Sequence, residues 1–415
     1  MTKACYVGVA GKARKVKKIY VGVANKARKV KKAYVGVGGV ARPFFSAEQK
    51  LSYYGTVTPL SKARPMLAAT TVGNYGLFGG GGNDTYFYSA VVDAYSATLV
   101  RSTPTALSEG RYSLAATTVG NYALFGGGYA SLGGEDGQTG TVDAYSATLV
   151  RSTPTALDEN RESLAATTVG NYGVFGGGYA YGAVTYRVDA YSESLVHINA
   201  TWLTDGREAL AATTVGNYAL FGGGAKAGSE LPTVDAYSAT LVRSTPTALS
   251  EGRYSLAATT VGNYALFGGG YVNGGSRNIV DAYSASLVRS TLTPLIIPAY
   301  DLAATTVGDY GLFGGGSGYR DEVDAYSASL VRSNPATLRV GRGNLAATTV
   351  GDYGLFGGGG DGSAYTGIVD AYTVDGGGSQ PSKPSNPNPD PDPDGPEDLR
   401  PKPGGSVPDK VYGED

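Results

Sequence analysis

Leu114-Ala115-Ala116-Thr117-Thr118-Val119-Gly120-Asn121-Tyr122-Ala123-Leu124-Phe125-Gly126-Gly127-Gly128, followed after a variable stretch by Val142-Asp143-Ala144-Tyr145, decides how this chain is read. Thr, Val, Tyr and Phe beside glycine favour strand and turn, and no apolar residue recurs at helical spacing. Residues 114–119 read as a first strand, Gly120-Asn121 as a tight turn, and Tyr122–Gly126 as a second strand. Glycine and asparagine both tolerate the positive φ that such a turn needs. Val142–Ser146 reads as a third strand and a fourth falls within 149–155, leaving 129–141 as a loop. The triple glycine removes side chains where strands crowd towards a central axis.

The same words recur along the chain. Leu-Ala-Ala-Thr-Thr-Val-Gly begins at Leu67, Leu114, Leu164, Leu210, Leu256, Leu302 and Leu345, at spacings of 43 to 50 residues. Each copy reaches a Val-Asp-Ala-Tyr whose aspartates are Asp93, Asp143, Asp189, Asp235, Asp281, Asp324 and Asp370. A period of that length built from short β-prone runs is the signature of a β-propeller rather than of a helical solenoid. The seventh copy stops at Tyr372 without the Leu-Val-Arg-Ser-Thr-Pro segment, while residues 55–64 align with 102–111. An N-terminal strand would then complete the last blade and leave no exposed edge. The expectation is an all-β fold: a seven-bladed β-propeller over 53–374 closed by an N-terminal strand, with flexible extensions at both ends. The tail, 375–415, alternates Pro387, Pro389, Pro391 and Pro393 with Asn or Asp and reads as a disordered, polyproline-like spacer.

Charge is unevenly spread. Residues 1–42 carry twelve Lys and Arg and no acidic residue, whereas the rest of the chain holds 22 basic residues against 35 acidic ones. The total of −1 therefore hides a basic arm joined to an acidic body. The arm, 1–45, repeats every 14 residues: Tyr6, Tyr20 and Tyr34 each begin Tyr-Val-Gly-Val. Between them run Lys12, Arg14, Lys15, Lys17 and Lys18, then Lys26, Arg28, Lys29, Lys31 and Lys32; the third copy ends at Arg42-Pro43. Short hairpins of this kind bury little, so the arm is expected to order against a partner or a neighbouring copy. Assembly on virion proteins or on another copy ranks first; phosphates of a nucleic acid, an anionic envelope polymer or solvent alone rank behind it.

Composition excludes most chemistry. One Cys rules out an intrachain disulfide or a Cys-based zinc site, and one His leaves His-centred catalysis without material. The expectation is a protein that is not an enzyme and takes no cofactor and no metal. No apolar run approaches the length of a membrane span, and no secretory signal is legible at the N-terminus.

The blade residues quoted above resemble the kelch-type β-propeller repeat, which has Gly-Gly ending strand two, Tyr in strand three and Arg ahead of strand one. Here those are Gly126-Gly127, Tyr145 and Arg111 in the second copy. The arginine recurs as Arg64, Arg111, Arg161, Arg207, Arg253 and Arg342, but the sixth copy has Ala299. The family's Trp after the Tyr is absent; Leu99, Leu149, Leu195, Leu241, Leu287 and Leu330 stand near its place. The resemblance covers about three quarters of the chain and implies a fold, not an activity. Lys31–Arg42 resembles segments near the start of structural proteins of tailed phages and prophages of Gram-positive bacteria. That second resemblance implies an assembly element on a virion with the propeller displayed from it; the alternative is a cellular or surface scaffold or lectin, cytoplasmic or exported.

Candidate sites follow from what varies. The loop between strands two and three differs in every copy and carries Tyr86, Tyr88, Tyr129, Tyr179, Tyr181, Tyr271, Tyr319 and Tyr365. Tyrosine offers a flat face plus a hydroxyl, so this rim is expected to bind glycan or protein. The seven Val-Asp-Ala-Tyr aspartates are too alike to divide into acid and base, and a structural role is expected for them. The arginines are expected to bridge blades by hydrogen bonds or ion pairs. His197 and Trp202, which interrupt the third copy, read as divergence on an outer strand.

Overall fold

The computed structural model describes residues 50–82, 88–132 and 135–374, together with the strands of the N-terminal arm. The tail from 375 onwards, Cys5, and Lys17, Lys18 and Lys31 of the arm lie outside the described residues.

The described residues contain seven four-stranded antiparallel sheets, a propeller-like, all-β architecture. In the second sheet the strands are Ala115–Val119, Tyr122–Gly126, Val142–Ser146 and Arg151–Ser152. The first three match the sequence expectation to within a residue, and the fourth is shorter. Alternate burial along Ala115–Val119 puts Ala115, Thr117 and Val119 inside, as a strand with one packed face requires. Strands two and three are buried almost throughout, because each has a neighbouring sheet on both faces. The core is divided accordingly into seven clusters, each drawing its Phe and third-strand Tyr from one sheet and its aliphatic residues from the sheet before.

Three contacts repeat from each sheet to the next. A Cβ placed on Gly126 would lie 2.8 Å from the ring of Phe175, so the glycine ending strand two exists to let the next sheet's phenylalanine lie on the backbone. The same meeting joins Gly79 to Phe125 and Gly357 to Phe78. On the first strands, Thr118, Thr168, Thr214, Thr260, Thr306 and Thr349 each donate a hydroxyl hydrogen bond to the homologous threonine carbonyl of the preceding sheet. Thr71 donates to Thr349, from the first sheet to the seventh. Just ahead of strand one, Met66, Ser113, Ser163, Ala209, Ser255, Asp301 and Asn344 all have φ between 51° and 55°. Each gives its N–H to the carbonyl of the one before, and Met66 gives its own to Asn344. The left-handed conformation turns these amides towards the neighbouring sheet instead of into their own.

The seventh sheet takes its fourth strand from the other end of the chain. Leu51–Val57 pairs antiparallel with Val369–Val374, with a bulge opposite Ala371 and Tyr372. It is seven residues long where the other fourth strands have two or three. The stretch aligned with a fourth strand, 55–64, shares only 55–57 with it.

The loop between strands two and three is more ordered than a loop reading allows. In the second copy Tyr129–Leu132 and Glu135–Gln138 form a hairpin, and Arg111–Tyr112 pairs with its first strand. Shorter hairpins stand at Tyr179–Ala180 with Ala183–Val184 and at Tyr271–Val272 with Gly275–Ser276. The arm forms three hairpins: Tyr6–Val9 with Lys12–Lys15, Ile19–Val23 with Lys26–Val30, and Lys32–Val37 with Val40–Ser46. Their registers place Tyr6 opposite Lys15, Arg14 opposite Val7, Tyr20 opposite Lys29, Arg28 opposite Val21, and Arg42 opposite Val35. Lys12, Lys26, Lys32 and Tyr34 also lie in these ladders.

Candidate binding face

The strand order puts two kinds of connection on one face of the sheets: the loops between strands two and three, and the linkers that lead into strand one. They are fastened together, since Leu107 N–H donates to Ala90 O and Arg111 N–H to Ser89 O. The residue after each linker arginine, or after Ala299 in the sixth repeat, leads into the first strand: Pro65, Tyr112, Glu162, Glu208, Tyr254, Tyr300 and Gly343. Five successive repeats thus form an arc that is aromatic and acidic, and the other two positions, Pro65 and Gly343, are small.

The arc is built as two tyrosine clusters flanking carboxylates. Tyr88 stacks on Tyr112 with centroids 5.8 Å apart, and Tyr129 lies 5.6 Å from Tyr112. Further round, Tyr271 packs edge-on to Tyr254 at 5.6 Å and to Tyr300 at 4.8 Å. Between the clusters stand Glu162 and Glu208. Burial pushes the Glu162 carboxyl up, partly offset by the hydrogen bond that Gln138 Nε2 donates to it over 3.1 Å. Burial also raises Glu208, and the charge of Glu162 adds to it. Asp301 is raised by burial against the hydroxyls of Ser255 and Ser317. Half-buried carboxylates beside flat rings present acceptors and apolar faces together, which suits a ligand carrying hydroxyls or amines on an apolar frame.

Of the tyrosines expected on the rim, Tyr88, Tyr129 and Tyr271 belong to these clusters. Tyr179 pairs through its backbone with Glu162, and Tyr365 with Gly360. Tyr181 and Tyr319 project furthest, at 74% and 55% exposure. Tyr86 lies outside the described residues. Tyr112, Glu162, Glu208, Tyr254, Tyr300 and Asp301 were missed, although a signal was available. They vary from copy to copy between an Arg and a Leu that hardly vary at all.

The seven aspartates are not on this face. Six of them hold the buried arginines in ion pairs: Arg64–Asp93 at 2.8 Å, Arg111–Asp143 at 2.8 Å, Arg161–Asp189 at 2.5 Å, Arg207–Asp235 at 2.7 Å, Arg253–Asp281 at 3.0 Å and Arg342–Asp370 at 2.7 Å. Each ion pair joins a linker arginine to strand three of the same repeat, while the arginine's carbonyl accepts an N–H from a glycine of the preceding sheet, as Gly81 gives to Arg111 and Gly128 to Arg161. The link between neighbouring sheets is thus a main-chain hydrogen bond, and the ion pair ties the linker to the sheet it enters. The aspartates also accept main-chain N–H groups, such as Ser108 on Asp143 and Asp158 on Asp189. His197, on the outer strand His197–Asn199, takes the place of the outer arginine, with Nε2 2.6 Å from Asp189 Oδ1. Trp202 stacks on Tyr186 at 4.7 Å with Arg187 over its ring.

No family model matches the chain, and no curated protein matches it. Solved structures do: the one described as "Structure of YjhT" aligns over 77% of this chain and 99% of its own, with a TM-score of 0.51 and 10% sequence identity. At that identity the likeness concerns the multi-bladed, propeller-like fold alone. Among the described residues no helix is long and apolar enough to cross a membrane.

Proposed function

We propose that the chain is a closed, seven-bladed, kelch-like propeller that acts as a non-catalytic binding module, a scaffold or lectin, taking a glycan or protein on its loop face. The observation that carries the reading is the arc of Tyr88, Tyr112 and Tyr129 beside Glu162 and Glu208, where repeats that are otherwise uniform diverge. Identical sheets give a rigid support, and the positions freed from packing hold the chemistry that differs. The basic arm supplies a second, separate attachment, to a neighbouring copy or another protein. The virion reading rests on the arm sequence alone, so the scaffold or lectin reading is preferred.

The test is a glycan array probed with the intact chain, with cross-linking to protein partners alongside, repeated on Tyr112→Ala and on Glu162→Gln. Saturable capture that weakens by about tenfold or more in either variant is expected, the size of losing one stacked ring or one charged acceptor. Capture that both variants leave intact would contradict the reading. So would contacts on the opposite face, where Val100, Val150, Val242 and Val288 are exposed.

A further inference from the structure

In six repeats a linker arginine is fully buried and paired with the third-strand aspartate, and in five of them Nη2 also donates to the second-strand Phe carbonyl. Arg64 donates from Nε to Gly80 O over 2.8 Å and from Nη2 to Phe78 O over 3.1 Å, and pairs with Asp93. Arg342 repeats this set on Gly358 O, Phe356 O and Asp370. The sixth repeat keeps the acceptors, Phe313 O, Gly315 O and Asp324, but has Ala299 where the arginine belongs. Its linker is also changed: Ile296-Ile297-Pro298 replaces the Ser250-Glu251-Gly252 of the repeat before.

A cavity lies at that place, lined by Ala299, Ile297, Phe313, Arg320, Glu322 and Asp324 among others. It measures about 240 Å³ counting the part open to solvent, and its enclosed part is the size of one water. Asp324 is 4% exposed. It accepts from Ile296 N–H and from Asn334, and Arg332 stands 3.6 Å away, but the inner cation that its six counterparts have is missing. Two other buried polar atoms of the lining, Glu322 Oε2 and Arg320 Nε, have no hydrogen-bond partner. Glu322 adds its negative charge to that of Asp324, and Arg332 offsets it only from the outer strand.

We propose that the sixth repeat binds a guanidinium group from outside the chain, seated edge-on beside Ala299 with Asp324 and the carbonyls of Phe313 and Gly315 as its acceptors, in space made when the Arg320 side chain swings out of the lining. A planar donor-only cation matches these acceptors: each of the other six repeats holds one on the same aspartate, five of them also on the Phe carbonyl, and Arg64 and Arg342 on the glycine carbonyl as well. The group comes either from an arginine side chain of a partner polypeptide or from a small guanidino compound. The site is separate from the tyrosine and glutamate arc and stands or falls independently of it.

The experiment is isothermal titration calorimetry of the full chain with guanidinium chloride, N-acetyl-arginine amide and, as controls, ammonium and sodium chloride at matched ionic strength. Wild type is expected to bind guanidinium saturably at one site, with no response to the controls. Ala299→Arg, which supplies the group from within, should abolish binding and raise the melting temperature. Asp324→Asn, nearly isosteric and so the safer variant for folding, should weaken binding about tenfold or more. Tighter binding of N-acetyl-arginine amide than of guanidinium assigns a polypeptide source, and the reverse assigns a small compound. No saturable heat, an equal response to ammonium, or undiminished binding by Asp324→Asn would overturn the proposal and leave a cavity for water.

Discussion

A guanidinium buried at 0% exposure is tolerated only where a carboxylate and main-chain carbonyls replace its hydration, as Asp143 and Phe125 O do for Arg111. Such a pair adds little net stability, yet removing one partner costs about 3–5 kcal/mol because the other charge is stranded. The pairs also divide the carboxylates into two titrating classes. Burial pushes Asp189 and Asp281 up, but Arg161, Arg253 and the accompanying hydrogen bonds outweigh it and hold both below the usual carboxylate range. Asp324 lacks the inner arginine, and burial wins over its hydrogen bonds, so it is raised, as are Glu162, Glu208 and Asp301. A raised carboxyl burdens the fold while ionised and is relieved as pH falls through its folded value. A depressed one supports the fold above the ordinary carboxylate value, and that support is lost as pH falls towards the depressed value. The melting temperature should therefore climb from neutral into mild acid and drop below the carboxylate range. Scanning calorimetry across pH checks this: a steady decline from neutrality would contradict it, and Glu208→Gln should flatten the climb.

Within each sheet the glycines do unequal work. Gly127 has φ +68°, and a Cβ there would come within 2.7 Å of Arg161 O. Gly137, in the outer hairpin, has nothing within 4 Å. Gly127→Ala should cost about 2 kcal/mol or more in urea unfolding, while Gly137→Ala stays within about 0.5 kcal/mol. Equal midpoints for the two would remove the packing explanation of the triple glycine. The strand pattern was legible because Ala-Ala-Thr-Thr-Val and Val-Asp-Ala-Tyr carry their own periodicity. Other features were not. The left-handed residues ahead of strand one are Met, Ser, Ala, Asp and Asn, and nothing local marks them; the neighbouring sheet imposes their conformation. The hairpins in the variable loops escaped for the opposite reason, being short and different in every copy. Arg111 and Asp143 were both visible as repeated residues, but 32 positions apart, and only the fold brings them together.

Across the whole molecule, near-identical sheets make register a hazard, since any first strand can pair with almost any second. The seven-residue partner of Val369–Val374 is unlike every other fourth strand, which gives the proposed ring one distinctive joint. Leu51–Val57 also brings Tyr53, whose hydroxyl donates to Asp370 over 2.6 Å, and Val57 into the core of the last sheet. Removing it would expose the third strand of that sheet as an edge. The basic arm has no such place in the sheets. The most direct measurement is thermal and urea unfolding of two truncations, one lacking 1–45 and one lacking 1–64, beside the full chain. The first should unfold like the full chain, and the second should melt lower, less cooperatively and with a tendency to associate. Equal unfolding of both truncations would contradict a propeller closed by its own N-terminal strand.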